Sequence, residues 1–445
     1  MTHYEKMTES KIEPLIVRMA IPTIISMLVT NIYNMADTAF VGKLGTSASG
    51  AVGIVFGFMT ILQAIGFLFG QGAGSIIARK LGAKDTDAAS KTASTGLFFA
   101  VIFCTIVSAF CFIGLDQLVV LLGSTKTIAP YAKSYISYII FASPFVVASF
   151  CMNNILRFEG KAFLGMIGLT TGAVLNIIGD PILMFGLNMG IAGAGLSTCI
   201  SQIISFGILL TMFLRGKTQC KLSPKNLCFD IRFFIDIVAT GLPSLLRQGL
   251  NSLVVIVLNM EAAVYGDEAI AAMSIVSRIV FFVFSIALGI GQGFQPVSGF
   301  NFGAHKYQRV RKAYRFSLLF GECAIVLLSA IVFIQSGDVI RIFRDDTSVI
   351  NIGTRALRLQ LISLIFQPYC VVTEMILQST GKKLQASILS SLKSGIIFIP
   401  ILIVMANLRG LSGIQEAQPL ANIVVLIPTI YYATTFFKQM PKEDQ

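Results

Sequence analysis

Long apolar runs recur along the whole chain of 445 residues, and they constrain its fold more than any other feature. A helix needs roughly 20 mainly apolar residues to cross a hydrocarbon core about 30 Å thick. Lipid also requires every backbone polar group to be bonded within the protein, and these runs lack the polar and apolar alternation of barrel strands. Twelve runs are long enough, near 15–41, 50–78, 93–115, 131–156, 163–187, 191–214, 233–259, 269–300, 314–336, 355–378, 385–406 and 416–437.

Composition agrees with this pattern, since 55% of the residues are hydrophobic, only 13% are charged and the mean hydropathy is +0.80. The sequence therefore predicts an all-α integral membrane protein with twelve transmembrane helices. Most of the 34 Lys and Arg residues fall in loops and tails on one side, and basic residues collect on the cytoplasmic side. This bias predicts that both termini are cytoplasmic. The net charge of +12 is read as a topology signal and not as a nucleic-acid site.

An internal repeat appears when the chain is shifted by 221 residues. Pro22 then meets Pro243, and the sequence GQG at 70–72 meets GQG at 291–293. Each copy holds six predicted spans, so the copies share one orientation and form two pseudo-symmetric six-helix bundles. The predicted domains are an N-terminal lobe with its cytoplasmic linker, 1–225, and a C-terminal lobe, 226–445. Pro22, Pro181 and Pro243 are predicted hinges because proline removes a helical hydrogen bond.

Two carboxylates, Asp37 and Asp180, are expected at the same depth within the hydrocarbon, near the outer ends of the first and fifth spans. Carboxylates there are costly unless they are paired, protonated or in contact with water. Helical spacing brings further polar side chains to this level: Tyr33, Asn34, Asn176 and Thr198. Such a cluster suits a proton or a sodium ion at Asp37 and Asp180. A static polar network that ties three helices together is the alternative.

The second copy does not repeat this acidic cluster, because the shift of 221 residues places Leu258 opposite Asp37. Arg247 is interpreted as a counter-ion of Glu374 or Glu322, with contact to an anionic substrate or gating as alternatives. The candidates for a polar cavity in this half are Arg247, Asn251, Gln292 and Glu374.

Other chemistries have little support in the sequence. The two histidines, His3 and His305, lie in polar flanks, and the eight cysteines show no zinc spacing. No G-x-x-x-x-G-K-[ST] run for phosphate binding occurs. We therefore expect no catalytic residue, no cofactor and no structural metal. Active transport would then use an ion gradient.

Six short motifs resemble those of the multidrug and toxic compound extrusion (MATE) transporters, in their DinF-like and MepA-like bacterial branch. They lie in the family's order along nearly the whole chain: DTAFVG at 37–42, GAKD at 82–85, NIIGDP at 176–181, GIAGAG at 190–195, GQGFQP at 291–296 and NFGA at 301–304. The resemblance implies a V-shaped pair of six-helix lobes in the bacterial inner membrane. It also implies multidrug efflux by alternating access, with cationic or amphipathic compounds exported in exchange for protons or sodium.

Residue roles follow from the same resemblance. The family's coupling network in the N-terminal lobe corresponds to Asp37, Asn176, Asp180 and Thr198. The NorM-like branch carries a glutamate where this chain has Asn251. The expected partners are small organic substrates and membrane lipids, with no nucleic acid, and the expected state is a monomer. A flippase for lipid-linked oligosaccharide or lipid, from the same wider superfamily, is the alternative function.

Overall fold

A computed structural model describes residues 2–444, and this part of the chain is all helical. Its α-helices follow in chain order: α1 (His3–Glu9), α2 (Ile12–Gly42), α3 (Thr46–Gly82), α4 (Thr86–Ile113), α5 (Leu115–Leu121), α6 (Ala129–Phe158), α7 (Ala162–Pro181), α8 (Ile191–Leu214), α9 (Ile231–Ala263), α10 (Asp267–Gly303), α11 (Tyr307–Ile334), α12 (Ser336–Phe343), α13 (Thr347–Leu364), α14 (Gln367–Ser379), α15 (Lys383–Ser391), α16 (Phe398–Arg409) and α17 (Leu411–Gln439). Single π-helical turns, Ile182–Gly186 and Leu392–Ile396, follow α7 and α15.

Eleven helical stretches among residues 2–444 are long and apolar enough to cross a membrane. The pair α13 and α14, bent by 49°, makes a twelfth if it counts as one span. Large apolar side chains such as Ile113 and Leu327 are exposed along these helices, as lipid-facing side chains must be. The prediction of an all-helical, multi-span protein is thus confirmed. The cytoplasmic termini and the two six-helix bundles stay predictions.

The chain forms two compact units, and their boundaries lie inside helices. The N-terminal unit comprises Ile25–Leu245, and the C-terminal unit comprises the chain up to Ile24 together with the chain from Leu246 onward. Each boundary follows a proline by only a few residues, Pro22 in α2 and Pro243 in α9. These boundaries differ from the predicted division at residue 225, which stays a prediction about the two sequence copies.

Two equivalent glycine contacts explain the unit boundaries. They explain why the first part of α2 belongs to the C-terminal unit and the first part of α9 belongs to the N-terminal unit. In the N-terminal unit, a Cβ added to Gly72 of α3 would collide with the carbonyl oxygen of Ile237 and lie 3.1 Å from the amide nitrogen of Gly241, both in α9. In the C-terminal unit, a Cβ added to Gly293 of α10 would lie 2.6 Å from the Cα of Ala20 in α2. The shift of 221 residues relates the two contacts. Glycine is needed here because backbone meets backbone.

The linker after α8 is held against the N-terminal unit by the side chain of Glu159. This carboxylate is fully buried and accepts hydrogen bonds from the backbone N–H groups of Gln219, at 2.8 Å, and Cys220, at 3.1 Å. Burial raises the pKa of the Glu159 carboxyl, although the two N–H donors oppose the shift. The linker is therefore ordered and has defined hydrogen-bond partners in the N-terminal unit.

Candidate functional site

Asp37 lies in the second half of α2, where its side chain is buried within the N-terminal unit. The hydroxyl of Tyr135, a fully buried residue of α6, donates a hydrogen bond of 3.0 Å to Asp37 Oδ2. This bond stabilises the negative charge of the carboxylate and fixes its orientation, since hydrogen bonds to charged groups are the stronger ones.

Helices α7 and α8 bring a second carboxylate into the same unit. Asn176 and Asp180 are one turn apart on α7, so they share a face, and Asn176 Nδ2 donates to Asp180 Oδ1 at 3.2 Å. The same amide group donates to Thr198 Oγ1 on α8 at 3.0 Å. Close approach of α8 depends on Gly179, where a Cβ would lie 2.5 Å from Ser197 Oγ. Asn176 thus links Asp180 to α8.

The two carboxyl groups lie within interaction range of each other and of Tyr33. Asp37 and Asp180 are both buried, yet Asp37 Oδ1 and Asp180 Oδ2 accept no hydrogen bond within residues 2–444. Buried carboxylate oxygens are costly to leave without a donor or a cation. A proton or a monovalent cation would satisfy both groups. Asn34, by contrast, is half-buried and accepts a hydrogen bond from Thr38 through its backbone carbonyl.

The C-terminal candidates separate into two groups. Arg247 Nη1 donates to Glu374 Oε1 at 2.6 Å, and both side chains are buried. Glu322 is half-buried and is not the partner of Arg247. Gln292 is buried on α10, whereas Asn251 is exposed on α9. The structure therefore gathers Arg247 and Glu374 and leaves Asn251 outside that cluster.

The third hinge candidate, Pro181, ends α7 directly after Asp180. The chain then continues as the π-helical turn Ile182–Gly186, which is the kind of irregularity expected where proline interrupts the helical hydrogen bonds. Pro22 and Pro243 lie inside continuous helices. Their roles as hinges stay predictions.

Sequence reasoning missed two contributors to the acidic cluster, Tyr135 and Ser197. Ser197 Oγ donates to the backbone carbonyl of Asn176 at 3.3 Å. Ser197 could have been predicted from the sequence, because it directly precedes Thr198 in α8 and so lies at the same depth. Tyr135 had none, since an inward-facing tyrosine and a packing tyrosine look alike in a sequence. Among residues 2–444, no group of three or more His, Cys, Asp or Glu side chains could hold a metal ion.

Comparison with known proteins gives consistent matches over nearly the whole chain. The sequence profile of the MatE family matches twice, at residues 22–182 and 243–404, which confirms the internal repeat. The multidrug export protein MepA of Staphylococcus saprophyticus is 30% identical over 406 residues, 91% of this chain and 90% of that protein. MepA of Staphylococcus aureus strain NCTC 8325 is also 30% identical, over 89% of this chain and 87% of that protein.

Solved structures show the same fold. A crystal structure of a MATE protein in complex with MaL6 has a TM-score of 0.93 at 23% identity, with 98% of this chain and 99% of that chain covered. An outward-facing multidrug resistance MATE family transporter has a TM-score of 0.93 at 24% identity, with both chains covered completely.

Many apolar helices, an internal repeat and these matches together define a multi-span membrane transporter. The chain belongs to the multidrug and toxic compound extrusion (MATE) family, in its MepA-like branch. It is a multi-pass protein of the bacterial cell membrane.

Proposed function

We propose that this protein is an antiporter that exports cationic or amphipathic organic compounds in exchange for a proton or a sodium ion. One observation carries the proposal: Asp37 and Asp180 are buried near each other, and each keeps an oxygen without a hydrogen-bond donor. Intramembrane carboxylates of this kind characterise ion pathways. The multidrug export named for the MepA relatives supports organic compounds as the substrates.

The coupling follows from the position of Asp37 in its helix. Asp37 and Pro22 belong to the same helix, α2, but to different compact units. When Asp37 is charged, the bond from Tyr135 and the network around Asp180 hold the second half of α2 within the N-terminal unit. Binding of a proton or cation at the two carboxylates changes these contacts. Pro22 is where α2 would bend in response, because its turn lacks one hydrogen bond.

The test is efflux of a fluorescent organic cation from a drug-sensitive bacterial host. We expect Asp37→Asn and Asp180→Asn each to abolish efflux at unchanged protein abundance, because an amide cannot exchange a proton and binds a cation weakly. Asp87→Asn is the matched control, since Asp87 is exposed at the start of α4. Wild-type efflux by both site variants would refute the proposal.

A lipid flippase is the second candidate, and one observation favours it. Arg247 and Lys393, two buried cations of the C-terminal unit, share the single carboxylate Glu374. An excess of buried positive charge suits an anionic substrate such as a lipid phosphate. Flipping of a labelled lipid by proteoliposomes, with no efflux of organic cations, would select this function instead.

A further inference from the structure

Three charged side chains from three helical elements meet inside the C-terminal unit. Arg247 lies near the middle of α9, Glu374 lies in α14, and Lys393 lies in the π-helical turn Leu392–Ile396. Arg247 Nη1 is 2.6 Å from Glu374 Oε1, and Lys393 Nζ is 3.5 Å from Glu374 Oε2. The three side chains are 8%, 0% and 7% exposed.

The charges of this cluster do not balance. Two cations share one carboxylate, so the cluster carries one excess positive charge in a buried setting when all three groups are ionised. Buried charges are normally compensated, because desolvation of an unpaired ion is expensive. Cys370 also interacts electrostatically with Lys393 and Glu374.

Lys393 is the group whose bonding is incomplete. An ammonium has three donors, yet Lys393 Nζ is buried and makes no hydrogen bond to any residue in 2–444. Its approach to Glu374 Oε2 is long, at 3.5 Å, and within the described residues that oxygen accepts no hydrogen bond. Its other neighbour is the ring of Phe284, with the ring centre at 5.1 Å. An aromatic face attracts a cation but supplies no acceptor lone pair.

We propose that Lys393, together with the field of Arg247, forms a site for one small monovalent anionic group. The excess charge of the cluster is one unit, so a halide ion or a single carboxylate group completes it. The polarity is opposite to that of Asp37 and Asp180. A sodium ion is disfavoured at Glu374, because both of its oxygens already face cations.

The π-helical turn explains how a lysine reaches this position. Gly395 lies in the same turn, next to Leu250 and Val254 of α9. A π-turn widens the helix locally and turns a side chain to a new direction. Such turns often occur at functional sites, and this one brings the ammonium of Lys393 to the carboxylate of α14.

The test measures anion binding to the full-length protein and does not depend on transport. Thermal unfolding of purified protein is followed with a thiol-reactive dye while sodium gluconate is replaced by sodium chloride, bromide or acetate at constant ionic strength. We expect a saturable rise in unfolding temperature, because a ligand of the folded state stabilises it by mass action. A rise with halides assigns the site to free inorganic anions, and a rise with acetate alone assigns it to a carboxylate group of a substrate.

Lys393→Met is the decisive variant, since it leaves the balanced pair of Arg247 and Glu374. It should lose the anion-dependent rise and unfold in gluconate no lower than the wild type. Arg278→Gln, at an exposed arginine of α10, is the matched control and should keep the rise. Bromide crystals should show an anomalous peak at Lys393 Nζ if the halides bind.

The proposal is overturned if no anion raises the unfolding temperature of the wild type, or if Lys393→Met keeps the full rise. If no anion raises that temperature and the stability of the wild type increases with pH, Lys393 is neutral and does not form an anion site.

Discussion

Gly72→Ala adds a methyl group to α3 and tests whether a close backbone contact holds the first part of α9 in the N-terminal unit. The new Cβ would collide with the Ile237 carbonyl oxygen and lie 3.1 Å from the Gly241 nitrogen. Both are backbone atoms of α9 and cannot rotate away, so the two helices must separate. Overpacking of this kind costs about 1–3 kcal/mol. Gly53→Ala is the control in the same helix, because a Cβ there meets nothing within 4 Å.

Alanine also favours a helix over glycine by up to ~1 kcal/mol, and this gain is common to both variants. The free energy of unfolding of Gly72→Ala should therefore lie about 1–3 kcal/mol below that of Gly53→Ala. Equilibrium unfolding in mixed micelles with increasing SDS measures this difference. Gly293→Ala should resemble Gly72→Ala, since it meets the Ala20 backbone at 2.6 Å. Equal stability of Gly72→Ala and Gly53→Ala would refute the packing argument.

Three further predictions concern buried polar groups. Tyr135→Phe removes the 3.0 Å hydrogen bond to Asp37, worth about 1.5–3 kcal/mol, and should reduce ion-driven transport in proteoliposomes at least ~10-fold. Glu374→Gln should lower the free energy of unfolding by about 3–5 kcal/mol. Arg247→Met should lower it by less, because Glu374 then keeps its second cation, Lys393. The reverse order of these two variants in SDS unfolding would contradict this prediction. Burial raises the pKa of Glu159 above 4.5. The stability of the wild type relative to Glu159→Gln should therefore be highest below pH 4.5 and should fall as the pH rises through the raised pKa. A difference in unfolding temperature between the two proteins that grows with pH would contradict this prediction.

Much of the fold followed from the sequence because its signals are long and regular. Apolar runs and the shift of 221 residues predicted the helices and the duplication. The boundaries of the two compact units could not be predicted from the sequence. The first parts of α2 and α9 belong to their units because of the close contacts at Gly293 and Gly72. Such contacts join residues far apart in sequence. They leave no periodic pattern that marks a boundary after Pro22 or Pro243.

The acidic cluster could be predicted in part. Asn176 and Asp180 share a helical face by their spacing, and helix direction places Asp37 and Thr198 at their depth. The structure joins Asn176, Asp180 and Thr198 by hydrogen bonds and places Asp37 within interaction range of Asp180, although their role in coupling stays a prediction. Tyr135 escaped because nothing in α6 distinguishes it from a packing residue.

The charged cluster of the other unit shows a second limit of sequence reasoning. The need to compensate buried charge predicted a carboxylate partner for Arg247 but left Glu374 and Glu322 open, and the structure shows that the partner is Glu374. The position of Lys393 depends on a π-helical turn, and regular helical spacing cannot predict the direction of a side chain in such a turn.

Transport by purified protein in liposomes, under separately imposed proton and sodium gradients, tests ion coupling at Asp37 and Asp180 most directly. The wild type should concentrate an organic cation against its gradient when one of these ions, and only that one, flows in the opposite direction. The double variant Asp37→Asn with Asp180→Asn should lose this accumulation. Accumulation that persists in the double variant, or a wild type that responds to neither gradient, would contradict the account.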